Sequence, residues 1–480
     1  MESLTKENIK IALVSFQKDA ERVPPMGMVY IATYLSERAG IKNIKIIDKN
    51  FDNILEELQN FAPDIIGVGP MTIHYEEASA FAKHVKKQLN IPVMLGGVHI
   101  STLPDSFRSC FELAVLGEGE HTFADLISIY LKKREFLPKD LKKIRGILFM
   151  NQNKIIKTSP REEISLDTLP LPNFDFVNKA YFDEQEIPGA NIVARRAFIL
   201  TSRGCPYKCK FCSTSHFWGK LRLHSPEYTA QLIKNSIEKY RTSYIKILDD
   251  LFTINSDRLK KIKLELDNLN VMNKIKGIEC QPRANLINDS LCLAMKDLKV
   301  KVVNFGFESG SERVLNWLKS GSVTIEMNKR AIVLCKKYGF TVYGSLIFGS
   351  PGEKLEDMRK TLKFIDFAID NKADYIWSFI STPFPNTPFW EIAIQRGKVD
   401  GEMNFNLLTP HNLENPLLLD DDIDKEEFKR LFLLGRKKLR KLKIQMIFKF
   451  FKIHPLKIFA LFARSPKYYL DRVIKQVYKH

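Results

Sequence analysis

Short apolar runs alternate with longer amphipathic stretches along most of the chain. In the first 150 residues, Ile9–Phe16, Ile44–Asp48, Asp64–Gly69, Pro92–Leu95 and Leu113–Leu116 read as strands. Between them Gly27–Arg38, Ile54–Phe61, Glu76–Leu89 and His121–Leu131 carry helical spacing. Runs with no polar face imply an open parallel sheet covered by helices on both sides, an α/β unit over residues 1–145. Arg145–Thr158 reads as a hairpin turning at Asn151–Asn153. Ser159–Arg196 holds Pro160, Pro170, Pro172 and Pro188 with little periodicity, so residues 146–196 are expected to be hairpin and linker, with Leu169–Pro172 an extended strap. From Phe198 to about Gln395 the alternation resumes, predicting a partial (β/α)6 barrel over residues 197–400, followed by a helical region over 401–480.

The polar signals fall at the carboxyl ends of these strands, where sheets and barrels of this type bind ligands. In the first unit the loops are Gln17–Met28, Pro70–Glu77, Gly96–Thr102 and Gly117–His121. Gly96, Gly97, Gly117 and Gly119 would let backbone approach a bulky ligand, or they are ordinary strand-end turns. No loop carries G-x-G-x-x-G before a helix, which disfavours NAD. In the second unit Tyr244–Leu248 ends at Asp249-Asp250 and Lys276–Cys280 at Gln281-Pro282-Arg283. Lys301–Phe307 ends at Glu308-Ser309-Gly310-Ser311, Thr341–Phe348 at Gly349–Glu353, and Tyr375–Ile380 at Pro383–Pro388. Each is either a ligand group or a local feature: Asp249, Asp250 and Ser309 as helix caps, Gly349–Gly352 as a plain turn.

Charge changes the picture at one end only. The formal net charge is +18, yet residues 425–480 hold 17 Lys/Arg against 3 Asp/Glu, leaving 57 and 53 for the remaining 424 residues. A body so nearly balanced argues against a nucleic-acid-binding surface. In the tail, Phe428, Phe432, Leu439, Leu442, Met446, Phe450 and Ile453 keep helical spacing until Pro455, with a second short apolar stretch at Lys457–Ala463 before Pro466. Two readings stand: a basic helix on an anionic membrane surface or acidic partner, or a helical cap on the barrel with a solvated basic face. No apolar run reaches about 18 residues, and Met1–Lys10 is polar, so neither a spanning helix nor a signal peptide is expected. Cys110, Cys280, Cys292 and Cys335 are scattered in apolar contexts and read as reduced thiols, which places the chain in the cytoplasm.

The strongest chemical signal is the segment Phe198–Cys212, with Cys205, Cys209 and Cys212 spaced C-x3-C-x2-C directly after a strand. Structural zinc wants four ligands, commonly as C-x2-C pairs, and no second pair exists. A cubic 4Fe–4S cluster held by three thiolates keeps one iron open. Gly204, Pro206 and the polar neighbours favour an exposed loop over three core cysteines.

This segment resembles the signature of the radical S-adenosylmethionine (SAM) enzymes. The resemblance implies a 4Fe–4S cluster on Cys205, Cys209 and Cys212 whose open iron binds SAM and cleaves it to a 5′-deoxyadenosyl radical. The five strand-end motifs are similar to those of the same family. They imply SAM contacts at Glu308 and Ser309 for the methionyl or ribose groups, at Arg283 for the carboxylate, at Gly349, Gly352 and Phe211 for adenine, and place Asp249 and Asp250 at the ribose or on the substrate side. Pro24–Gly27, Pro63–Gly67, Gly96–His99 and Gly117–Glu120 resemble, in the same order, the cobalamin-binding domains fused to such enzymes. That implies a Rossmann-like domain with cobalamin at Met71, Thr72, Gly96, Gly97, His99, Gly117, Glu118 and Gly119. The D-x-H-x-x-G motif that supplies a lower cobalt ligand elsewhere is absent, which leaves that ligand open; His74 and His99 are either groups that approach cobalt or corrin or satisfied loop histidines.

The implied activity is methyl transfer to an unreactive carbon, with rearrangement, cyclisation or oxidation as the alternative and a non-catalytic cobalamin or redox sensor as a different class. The implied partners are a reductant such as flavodoxin or ferredoxin and a small-molecule or lipid substrate, with contact at the inner membrane surface through the tail as one reading.

Overall fold

The computed structural model describes residues 4–18, 22–187, 189–414 and 416–453, the stretch 446–453 as helix backbone only. The second apolar stretch of the tail, with Pro466, lies outside the described residues.

The first sheet has seven strands: β1 (Lys10–Ser15), β2 (Asn43–Asp48), β3 (Ile65–Val68), β4 (Val93–Leu95), β5 (Leu113–Val115), β6 (Ile147–Asn151) and β7 (Lys154–Lys157), in the order β2-β1-β3-β4-β5-β6-β7. β1 to β5 are parallel. The apolar runs are continuous because each strand is buried on both faces. Ile11 and Leu13 of β1 join one core while Ala12 and Val14 join another on the opposite side. The chain turns back at β1, which pairs with β2 on one side and β3 on the other, so a crevice opens at the strand ends there.

Two expectations change. The hairpin is part of this sheet, because β6 pairs antiparallel with β5 and then with β7. Its turn uses Gln152 and Asn153, both left-handed with φ of 48° and 61°, the form that matches strand twist. The loop Gly96–Thr102 is a short helix, Gly97–Thr102, begun by left-handed Gly97.

The second sheet holds β8 (Glu184–Ile187), β9 (Ile192–Ile199), β12 (Tyr244–Ile247), β13 (Gly277–Cys280), β14 (Val300–Glu308), β15 (Thr341–Phe348) and β16 (Tyr375–Ile380), in the order β16-β15-β14-β13-β12-β9-β8. Its six strands from β9 onward are parallel and curl into a half-barrel, and β8 runs antiparallel to β9. The supposed linker therefore contributes β8 and the first half of β9. Its prolines suit the extended approach, but Ile192–Ile199 has enough buried positions to pair. Two short strands, β10 (Ser202–Arg203) and β11 (Arg222–Leu223), pair with each other beyond the end of β9.

The C-terminal region covers both units. Trp390, Ala393, Val399, Phe405, Leu408 and Leu419 fill one of the cores of the first sheet. The helix Lys425–Ile453 buries Phe428, Leu431, Phe432, Leu439 and Leu442 against the barrel helices. Gly435 lets that helix close in, since a Cβ there would stand 3.2 Å from Leu362. From Phe428 to Leu442 the helix is thus a cap on the barrel. Among the described residues no helix is long and apolar enough to cross a membrane.

Candidate cofactor sites

The cysteine loop starts where β9 ends. β10 and β11 pair with Arg203 opposite Arg222, and together they close the base of a loop that runs from Gly204 to Leu221. Gly204 has φ of 92°, and a Cβ there would meet the Lys220 carbonyl oxygen at 2.7 Å, so the entry to Cys205 demands glycine. Cys209 is buried and Cys205 and Cys212 are half-buried. A turn after the helix Glu312–Leu318 clasps the loop: Lys210 N donates to Leu318 O at 2.9 Å, and Ser320 Oγ donates to Lys208 O at 2.6 Å. Arg283 donates to Cys209 Sγ at 3.4 Å and to Ser322 Oγ at 2.6 Å, and stacks 3.7 Å from the Tyr207 ring centre.

Burial pushes the thiols of Cys205 and Cys212 up, so metal binding must displace their protons. Among the described residues no three His, Cys, Asp or Glu side chains are gathered to hold a single metal ion. A cubic cluster asks for something different, one thiolate per iron on a common loop, and the loop offers that donor set. Asp250 stands at the rim; desolvation pushes its carboxyl up to about 6 although part of its surface meets solvent, and Thr214 Oγ1 donates to it at 3.2 Å.

The barrel mouth splits into groups that face this loop and groups spent on the fold. Glu308 ends β14 with φ of 60°, and its carboxylate accepts from Lys319 Nζ at 2.7 Å, both side chains buried. Gly306 makes the room, because a Cβ there would lie 2.1 Å from Glu308 Oε1. Lys319 Nζ also sits 5.4 Å above the Phe211 ring, which packs beside Trp317 and Phe389. Arg283, Glu308 and Phe211 thus converge on the cysteine loop.

Asp249 and Ser309 do not. Asp249 is buried and accepts from both the amide and hydroxyl of Thr201, bracing the end of β12 to the end of β9. Ser309 is fully buried, with Oγ accepting from Ser311 N at 3.1 Å and lying 3.3 Å from Thr361 Oγ1. Neither is the helix cap that the capping reading expects: Asn255 caps the helix Ser256–Asn268 and Ser311 stands at the cap of Glu312–Leu318, so Asp249 braces two strand ends and Ser309 holds the turn after β14. At the end of β15, Gly349 and Gly352 have φ of 79° and 73°, and Glu353 Oε2 accepts from Gly349 N at 2.6 Å and Ser350 N at 3.1 Å. Complete burial pushes the Glu353 carboxyl up to about 8, and its Oε1 has no partner.

The strand ends of the first sheet surround a cavity of about 420 Å³. Its walls include Met71, Gly96, Gly97, Gly117, Glu118 and Gly119, together with Pro24–Met28 and Gly67–Pro70. Its far side is built by the other unit, from Leu200, Arg203, Phe217 and Trp218. A Cβ at Gly97 would stand 3.1 Å from the Gly69 backbone, so the floor is made of bare main chain. A flat, largely apolar macrocycle fits such a cradle.

Thr72 and His99 stand apart from it. Thr72 is buried in a short turn, Thr72–His74, that does not line the cavity. His99 is completely buried on the other side of its helix, 4.0 Å from the Tyr75 ring centre and 4.7 Å from that of Phe405, with Nε2 3.0 Å from Ser106 Oγ. Desolvation pushes its pKa down to about 3, so the ring is neutral. Neither His74 nor His99 lines the cavity.

Glu118, on the cavity wall, pairs with Arg203 and Arg222 of the other unit, while Glu120 pairs with Arg203 at 2.6 Å. Burial opposes its ionisation, but Arg222 and Arg203 outweigh that and hold the Glu118 carboxyl below its usual range. Glu120, Arg203, Arg222 and Lys319 escape a reading of the sequence by motif. The available signal is charge at strand ends: two carboxylates in Glu118-Gly119-Glu120 and an arginine directly before Gly204-Cys205.

Comparison with known proteins agrees with this division. Residues 199–365 match the radical SAM superfamily and residues 13–127 the B12 binding domain. An uncharacterized methyltransferase of Pyrococcus horikoshii is 33% identical over 383 residues, 77% of this chain and 78% of that protein. The anaerobic magnesium-protoporphyrin IX monomethyl ester cyclase of Cereibacter sphaeroides is 24% identical over 405 residues, 81% of this chain and 63% of that protein. Among solved structures, the cobalamin-dependent SAM radical enzyme OxsB covers 97% of this chain and 74% of its own at 18% identity, with a TM-score of 0.70. The radical SAM methyltransferase TsrM from Kitasatospora setae covers 82% and 77% at 19% identity, with a TM-score of 0.66. A B12 binding domain and a radical SAM domain on one chain bring three cofactors with them, a 4Fe–4S cluster, SAM and cobalamin, and this chain belongs to the cobalamin-dependent radical SAM enzymes.

Proposed function

We propose that the enzyme methylates an unreactive carbon. When bound, the cluster and SAM supply the substrate radical and cobalamin supplies the methyl group. The observation that carries this reading is the shared cavity: the glycine-floored crevice of the first unit is closed by Leu200, Arg203, Phe217 and Trp218, which flank or belong to the cysteine loop. Cys205, Cys209 and Cys212 hold the cluster, and Arg283 and Glu308 orient SAM by gripping its carboxylate and ammonium groups. The Gly349–Glu353 turn receives the adenine, and the apolar walls keep water from the radical.

Anaerobic reconstitution with iron, sulfide and cobalamin, followed by product identification, tests the proposal. Methylation requires S-adenosylhomocysteine and 5′-deoxyadenosine in equal amounts. Finding 5′-deoxyadenosine alone, with a cyclised or oxidised product, would overturn it and favour the cyclase-like chemistry named for one relative.

The finer partner reading is a flavodoxin- or ferredoxin-type reductant and a lipid or other membrane-associated substrate. The membrane-associated substrate reading rests on the outer face of the helix Lys425–Ile453, where Leu433, Leu434 and Ile444 are exposed beside Lys437, Arg440 and Lys441. Sedimentation with anionic vesicles checks it: binding that weakens with salt supports it, and no binding at low salt removes it.

A further inference from the structure

The chain uses one buried ion network to join its two cofactor units, and that network sits in the wall between them. Arg203 lies two residues before Cys205, at the base of the cysteine loop, directly across the β10–β11 pair from Arg222. Two guanidiniums facing each other would repel, and the carboxylates that neutralise them come from the other unit. Arg203 reaches Glu118 through Nη1 and Glu120 Oε1 through Nη2 at 2.6 Å. Arg222 grips both oxygens of Glu118 at 3.0 Å and donates to Ile164 O at 2.7 Å, while Ile164 N donates to Glu118 at 2.8 Å. The Arg203 guanidinium lies between the rings of Tyr30, 5.2 Å away, and Trp218, 5.4 Å away. All three residues line the cavity.

Stability alone is a poor reason for such a network. A buried set of charges loses much of its Coulomb gain to desolvation, and apolar residues of the same size often serve as well. Forked, two-sided hydrogen bonding does something apolar packing cannot: it fixes distance and direction. Here it fixes the turn that carries Gly117 and Gly119, part of the cavity wall, to the strand that launches the cluster ligands.

We propose that Arg203 is a positioning residue which, held by Glu118 and Glu120, sets a fixed separation between cobalamin in the strand-end cavity and the cluster on the cysteine loop. The inference rests on that placement of the two cofactors. The test uses the full-length enzyme loaded with both, reduced so that Co(II) and the one-electron-reduced cluster are each paramagnetic, and reads their separation by dipolar EPR.

The wild type should give one narrow distance distribution. A Glu118→Gln, Glu120→Gln double variant should broaden it at least about twofold and weaken cobalamin retention about tenfold, because Arg203 keeps its burial but loses both ionic partners and Arg222 keeps only Glu163, at 3.4 Å. Arg203→Lys retains the charge but replaces the fork by a single point, and should broaden the distribution to a smaller degree. Lys336→Met breaks the separate Lys336–Asp374 pair and should lower the melting temperature without broadening. A double variant or Arg203→Lys with full iron and cobalamin content and an unchanged distribution would overturn the inference, whatever its melting temperature. No dipolar coupling in the wild type would instead overturn the placement of the cofactors.

Discussion

The two cofactor-facing surfaces are built on opposite principles. The first sheet presents mainly backbone: Gly69, Gly96, Gly97, Gly117 and Gly119 leave the strand ends bare, and the side chains around them are mostly apolar. The barrel mouth presents committed side chains, with Arg283 on Cys209, Lys319 on Glu308, and Glu353 on two backbone amides. The difference follows from the ligands. A broad macrocycle is held by shape and excluded water, whereas a cluster and a zwitterion need directed charge. Substitutions should therefore act on the first surface by adding atoms and on the second by removing them.

Removing a thiolate is the most severe change. Cys209→Ala should leave no stable cluster and no 5′-deoxyadenosine above background under anaerobic reducing conditions, while cobalamin still binds. Cys280→Ala, at a buried cysteine outside the loop, should keep iron content and SAM cleavage. Loss of both in the control would break the distinction between loop and core thiols.

Adding atoms tests the other side. Gly97→Val must adopt φ of 84° and bring a Cβ to 3.1 Å from the Gly69 backbone, a strain of about 1–3 kcal/mol before any steric conflict with ligand. Cobalamin retention should fall at least about tenfold with cluster content unchanged, as read from optical spectra and iron analysis. Equal loss of both would mean that the two surfaces do not separate.

Lys319→Met leaves the buried Glu308 carboxylate without its cation, a change of about 3–5 kcal/mol for a pair this deeply buried. A lower melting temperature and a raised KM for SAM should appear together. Lys319→Arg should recover part of the KM because it restores the charge.

Glu353 supplies a pH signature. Its folded pKa, about 8, lies above the ordinary value near 4.3 for an unfolded chain. The folded protein then holds a proton that the unfolded chain releases, so this group's contribution is complete below about pH 4 and declines as pH rises toward 8. Glu353→Gln, neutral at every pH, should flatten that part of the stability profile measured by denaturant unfolding.

Most of the fold is legible in the sequence because apolar period and glycine punctuation follow directly from burial. Ile54–Phe61, Thr341–Phe348 and Tyr375–Ile380 have the same limits in the structure as in the sequence pattern. Strand β9 is cut short in that pattern because its first half, residues 192–195, follows closely on Pro188 and Gly189, and only its antiparallel pairing with β8 reveals it. At the site, spacing identifies the cysteines, since three ligands on one loop are a local property. It cannot find Lys319 or the Arg203 network, whose partners lie 11 to 104 residues apart. Nor can it separate Asp249 and Ser309 from Glu308, because all are polar residues at strand ends and only the fold decides which way each turns.

The smallest expected effect is the sharpest test of the backbone principle. His99 lies two residues beyond Gly97 of the cavity floor, where a cobalt ligand would be sought first, yet its ring is packed against Tyr75 and Phe405 with Ser106 as its polar neighbour. His99→Ala should cost about 2–3 kcal/mol through the hole left beside those rings and leave cobalamin affinity and optical spectrum unchanged. If the ring ligated cobalt, the variant would instead shift the spectrum and lose cobalamin while unfolding little. Because its pKa is near 3, the wild-type ring also stays neutral across the physiological range, so cobalamin retention should show no titration near the ordinary histidine value of about 6.5.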